Sequence, residues 1–297
     1  MTSAPASQQV PPGRIALAYE ARPSRFVSFA SWWTLYLLTI RQHLHGKKWM
    51  VLAVLFLLPA ALAVFVRVTG PNVPLIVIEF SFAYMFIPQA LLPLVGLIYA
   101  SGIIQDEQEE QTLTYLLIRP IPKWALYIIK LLATLTTAVC LTVLFTGVTY
   151  VAIYAGSHTI GVPERFLKTA AVHALAVTAY CSLFGLMSLL TRRTLIVGIL
   201  YAAIFEGLLA NLPLSIRLIT VIYYSRVIAY RSLSFVVLQF RRPRDVAAPV
   251  WRIDDLSEHP QTRTCILILL GACVILSVIA AYLCARKEFH VKTPEKP

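Results

Sequence analysis

Six uninterrupted apolar runs, at 49–66, 80–104, 126–153, 168–190, 194–212 and 263–284, constrain this chain more than any motif does. A helix needs roughly 20 apolar residues to cross about 30 Å of hydrocarbon, whereas a membrane strand shows about 10 residues of alternating polarity. The runs are continuous, so they predict helices. Hydrophobic residues make up 58% of the chain and charged residues 13%, against ~45–50% and ~25% in a soluble domain. That composition excludes both a soluble globule and a disordered chain. The expected fold is an all-α integral membrane protein with six transmembrane helices. An N-terminal interfacial helix precedes them, and a long extracytoplasmic loop, 213–262, separates the fifth from the sixth.

Residues 1–25 are expected to be a disordered cytoplasmic segment, Pro/Ser/Gln-rich over 1–13. The stretch FVSFASWWTLYLLTI at 26–40 is short for a span and ends on a strongly basic flank. With Trp32, Trp33 and Tyr36 suited to the headgroup boundary, 26–48 reads as an interfacial helix. The net charge of +12 would suggest nucleic acid on a soluble chain, but here the cations flank spans. No nucleic-acid partner is expected; the contacts are with membrane lipids.

Orientation follows from counting Lys and Arg in short loops. Arg41, Lys47 and Lys48, then Arg119 and Lys123, then Arg192 and Arg193, then Arg286 and Lys287 fall on one side. Arg67, Arg165 and Lys168 fall on the other. Both termini, including the tail at 285–297, are therefore expected in the cytoplasm, with the protein in the inner membrane. The Arg-rich loop 213–262 is too long to constrain this. A seventh crossing at 218–240 would bury Arg226 and Arg231, each costing at least ~2.5 kcal/mol at mid-depth. The spacing of Leu218, Val221 and Ile222 instead predicts a helix lying on the outer surface.

No catalytic constellation is legible. Gly46-Lys47 lacks the upstream glycine of a phosphate-binding loop, because position 41 is Arg. His-Glu-x-x-His and Gly-x-Ser-x-Gly are absent from the sequence. The five cysteines lie inside apolar runs and read as small core residues, with no metal site expected. The chain is therefore expected to be no enzyme and to hold no cofactor.

The stretch DEQEEQTLTYLLIRPIPKW at 106–124 is the most informative. Asp106, Glu107, Glu109 and Glu110 place acid at a helix start, and Leu113, Leu116 and Leu117 follow at helical spacing before Pro120 and Pro122 end the helix. A short amphipathic helix with an acidic head suits docking to a partner. A solvated loop held off the membrane by its charges has the same spacing, and spacing does not separate the two.

EQEEQTL at 107–113, LL at 116–117, RPIPK at 119–123, Lys130 and Glu-Gly-Leu-Leu at 206–209 resemble the type-2 ATP-binding-cassette transporter permeases. The resemblance covers nearly the whole chain. Departures are Gln111, where the family usually has Gly, and Ile129, where Gly often precedes the lysine. The resemblance implies an exporter-type permease whose 106–120 loop is a coupling helix seated on a separate cytoplasmic ATPase subunit. ATP and Mg would then reside on that partner, and the permease would work as a homodimer or beside a homologue. Carried over, Glu107, Glu109, Glu110, Thr112, Leu113, Leu116, Leu117 and Pro120 would lie at the contact.

Two ionisable residues lie deep inside spans. Glu206 sits past mid-membrane, and His173 on the antiparallel fourth span lies at a similar depth, so a His173–Glu206 hydrogen bond is feasible. As a structural clamp the pair, or Glu206 with a backbone or hydroxyl partner, joins two helices; as a proton-linked site the pair would make the chain a secondary transporter. A membrane scaffold for an ATPase complex is the remaining alternative. Lys130, a turn into its span, is expected to snorkel to the headgroups.

Overall fold

The computed structural model describes residues 29–70, 73–109, 122–157, 160–191, 193–211, 215–233 and 259–287. No strand occurs among the described residues. Helix α1 is Phe29–His45. It is followed by α2 (Lys48–Thr69), α3 (Leu75–Asp106), α4 (Lys123–Tyr154), α5 (Val162–Leu190) and α6 (Thr194–Asn211). Then come α7 (Val221–Leu233) and α8 (Thr262–Arg286). Six of these, α2 to α6 and α8, are long and apolar enough to cross a membrane.

Local chemistry sets the helix boundaries. Pro122, extended at ψ 141°, starts α4. Gly161 at φ +90° turns the chain into α5, a backbone conformation that suits glycine. Helix α3 is not regular: it is π-helical over Phe80–Leu91, around Pro88. Proline lacks an N–H and its ring crowds the carbonyl four residues back, so a wider turn relieves the clash. Helix α6 is π-helical over Ala202–Leu208, where no proline accounts for it.

The core gathers Phe56 of α2, Leu92 and Tyr99 of α3, Tyr127 of α4, and Tyr180 and Phe184 of α5. Helix α5 is the most enclosed span and α8 the least. Where α3 packs on α5, a Cβ on Gly96 would lie 2.6 Å from Tyr180 Cβ. Large apolar side chains also cover the outward faces, among them Val54, Leu144, Ile196 and Val274. A lipid-immersed surface requires that arrangement.

Helix α1 lays Trp32, Leu35 and Tyr36 against Ala125, Leu126 and Ile129 of α4. The Tyr36 hydroxyl donates to Thr136 Oγ1 at 2.9 Å, while Trp33 faces outward.

Helix α7 departs from the expected surface helix. Its 13 residues span about 20 Å, too short for a crossing. Yet Ile222, Tyr223, Arg226, Val227 and Ile228 are buried, and the helix packs against α5, α8 and the π segment of α3. It is inserted into the bundle because partners inside the bundle satisfy its polar groups.

Candidate functional site

At the end of the bundle that carries the 106–120 stretch, α3 continues as a helix over Gly102–Glu109. Glu107 and Glu109 belong to that helix. Glu110, Thr112, Leu113, Leu116, Leu117 and Pro120 lie outside the described residues.

The root of the loop is held on several sides. Asp106 Oδ2 pairs with Lys48 Nζ of α2 at 2.5 Å. That bridge is about half exposed, so its strength is roughly 1 kcal/mol or less. Gln105 Nε2 lies 2.7 Å from both Thr191 O and Thr194 Oγ1, and 3.4 Å from Ser188 O, at the turn from α5 into α6. Lys130 does not snorkel. Only 4% exposed, it donates from Nζ to Ile103 O at 3.3 Å, a carbonyl at the same root.

His43 of α1 closes this collar, its ring edge-on to Tyr99 at 5.1 Å and its Nε2 3.4 Å from Thr134 Oγ1. Burial, together with Lys48 and Lys130, lowers its pKa to about 4 against the opposing pull of Asp106. Two further cations satisfy helix ends here: Lys287 Nζ donates to Leu189 O, and Lys123 Nζ to Lys287 O at 3.1 Å.

At the opposite end lies a cluster the sequence reading missed. Glu79 is fully buried, and its Oε1 accepts the Tyr150 hydroxyl at 2.6 Å while Oε2 accepts that of Tyr154 at 2.7 Å. Arg165 adds Nη2 to Oε2 at 2.8 Å and reaches Leu233 O at the end of α7 through Nη1 at 3.4 Å. The spacing of Tyr150 and Tyr154, one turn apart on α4, was the available signal. By sequence Arg165 reads only as a loop cation.

Between the two ends, a His173–Glu206 bond is not formed. His173 Nε2 lies 3.0 Å from Ala83 O and Nδ1 3.0 Å from Thr146 Oγ1. A carbonyl can only accept, so a neutral ring donates from Nε2 and accepts the threonine hydroxyl at Nδ1. Both nitrogens are thereby used, joining α3, α4 and α5. Glu206 is also fully buried, and its Oε1 and Oε2 accept the backbone N–H groups of Val221 and Ile222, each at 3.1 Å. The carboxylate caps the N-terminus of α7, where unpaired amides and the positive end of the helix dipole favour an anion. Similar depth does not create a contact when each group has a nearer partner with obligatory hydrogen-bonding needs.

Arg226 of α7 completes this brace. It is 3% exposed, and its Nη1 donates to Asn211 Oδ1 and its Nη2 to Gln89 Oε1, both at 2.8 Å. It thereby ties the end of α6 to the π segment of α3. Gln89, Ala90, Pro93, Ala202, Ala203 and Gly207 line a side-opening groove of about 250 Å³ between those two helices. Most of these residues come from the two π-helical segments. Among the described residues, no three His, Cys, Asp or Glu side chains converge as a metal site would require.

Residues 42–211 match the family model for the ABC-2 family transporter protein. No curated protein matches the chain. The matched range takes in α2 to α6, hence the loop root, the Glu79 cluster and Glu206, and stops before α7 and α8. With more than half of the chain and five of its six candidate spans inside the match, this multi-pass membrane protein belongs to the ABC-2 transporter family as a permease of an ATP-binding-cassette system.

Proposed function

We propose that the chain is the membrane half of an exporter, worked by a separate cytoplasmic ATPase subunit that docks on residues 106–120. The observation carrying this reading is the collar at the loop root. Gln105 binds the α5–α6 turn, Asp106 binds α2, and Lys130 of α4 holds the Ile103 carbonyl. A loop that only linked two spans would need no such fixation. One that transmits force needs a rigid root, because a compliant one dissipates displacement before it reaches the spans.

On this reading Glu107, Glu109, Glu110, Thr112, Leu113, Leu116, Leu117 and Pro120 form the docking face, and ATP and Mg belong to the partner. The chain itself performs no catalysis. Both termini lie in the cytoplasm and the protein resides in the inner membrane, beside a second copy or a homologous permease. Glu206 and His173 take separate partners, which favours this reading over a proton-linked secondary transporter built on that pair.

The test is co-purification of the full-length chain with its ATPase subunit from native membranes, followed by reconstitution. Replacing 110–117 by a Gly/Ser linker is expected to abolish ATPase capture and vanadate-sensitive transport. Unchanged capture overturns the docking reading, and transport without any ATPase overturns the whole assignment.

A further inference from the structure

We propose that Gln105 is the positioning residue that passes displacement of the loop into α6; this deepens the docking reading and rests on it. Among the described side chains of 102–109, Gln105 is the one that reaches the start of α6 by hydrogen bond. Two of its three partners are carbonyls, Thr191 O at 2.7 Å and Ser188 O at 3.4 Å, which only the amide N–H₂ can serve. The third, Thr194 Oγ1 at 2.7 Å, already donates its own hydrogen toward Thr191 O at 3.1 Å, so it accepts from Gln105. The orientation of the amide is therefore fixed by its surroundings.

The contacted groups lie at the junction of two spans. Ser188 and Thr191 sit at the C-terminal end of α5, where carbonyls lack intrahelical partners, and Thr194, fully buried, opens α6. Downstream on α6, Glu206 holds the first amides of α7 and Asn211 accepts from Arg226, which returns to Gln89 of α3. The links form a closed circuit: α3 pulls on α6 through Gln105, α6 holds α7 through Glu206, and α7 holds α3 through Arg226. Displacing the loop root moves the entry of α6, and the brace through α7 forces the π segments of α3 and α6 to respond together. By contrast, Lys48–Asp106 and Lys130–Ile103 tie the root to α2 and α4, leaving Gln105 as the hydrogen-bonded link from the root to the entry of α6, below the place where Leu97 of α3 packs on Gly198 of α6.

The experiment uses the full-length chain in complex with its ATPase subunit, comparing wild type with Gln105→Leu and Gln105→Glu. The first removes both donors; the second sets a carboxylate against two carbonyl oxygens. Thr194→Val and the Gln105→Leu/Thr194→Val pair complete a cycle. Spin labels at Ile196 on α6 and Val278 on α8, both outward-facing, report the distance change on trapping with ADP and vanadate. A second pair, at Leu132 on α4 and Val278, serves as the comparison.

Wild type is expected to show a nucleotide-dependent shift in both pairs. The Gln105 variants are expected to capture the ATPase normally, retain the α4 shift and lose the α6 shift, with the double variant no worse than either single. An undiminished α6 shift in Gln105→Leu and Thr194→Val overturns the inference while leaving docking intact. Failure of the wild-type chain to capture the ATPase overturns the docking reading itself. Should Gln105→Leu not fold, Gln105→Glu, which also opposes the Thr191 and Ser188 carbonyls, decides the matter in its place.

Discussion

Glu206 accepts the backbone N–H of Ile222, sixteen residues onward, at 3.1 Å, so a side chain of one span serves as the N-cap of another helix. The arrangement explains how α7 is buried without exposing unpaired amides to an apolar surround. It also identifies Val221 and Ile222 as the backbone partners that the clamp reading of Glu206 left open.

Replacing Glu206 by Gln puts an amide N–H₂ in place of one carboxylate oxygen, facing the Val221 and Ile222 donors. Leaving one buried N–H unsatisfied is expected to cost about 1–3 kcal/mol. Hydrogen exchange at the amides of 221 and 222 should accelerate accordingly. Unchanged protection there, with wild-type thermal stability, removes the capping role.

Arg165→Met strips the guanidinium from Glu79, whose carboxylate stays buried with only the two tyrosine hydroxyls. Removing one partner of a buried pair is expected to cost about 3–5 kcal/mol, whereas Glu79→Gln/Arg165→Met should recover most of that loss. Thermal unfolding of the four proteins in detergent tests the pair, and an additive double variant contradicts it.

Gly96→Val is expected to destabilise the chain by about 1–3 kcal/mol or more, since overpacking here cannot be relieved by a rotamer change. The new Cβ would meet Tyr180 Cβ at 2.6 Å and its backbone carbonyl carbon at 3.1 Å. Gly147→Ala is the matched control. Its Cβ would meet Phe166 Cε2 at an ordinary 3.5 Å, so alanine should leave stability unchanged or raise it by up to about 1 kcal/mol.

His43 makes stability depend on pH. Its folded pKa is about 4, lowered from 6.5 by burial and the neighbouring lysines. Between those values the unfolded chain binds the proton and the folded chain does not, so stability is full above about pH 6.5 and falls as pH drops toward 4. The loss is at most about 3 kcal/mol. Unfolding midpoints measured from pH 7 to 4 should decline less steeply for His43→Gln; equal slopes refute the assignment.

What the sequence determined was the set of elements. Apolar runs of span length, bounded by Lys, Arg, Pro and Gly, leave helices as the structure that satisfies its own backbone in lipid, and that pattern is local. The family resemblance carried by 107–123 and 206–209 likewise agrees with the family match over 42–211.

Only the tertiary structure decided which polar groups meet. His173 and Glu206 share a depth yet take Ala83, Thr146, Val221 and Ile222. Lys130 turns inward to Ile103, and Arg226 is buried because Asn211 and Gln89 converge on it. The hydropathy of a residue states the cost of burying it, but the helix rotations and inter-span register that determine whether a partner offsets that cost arise from packing across the whole bundle.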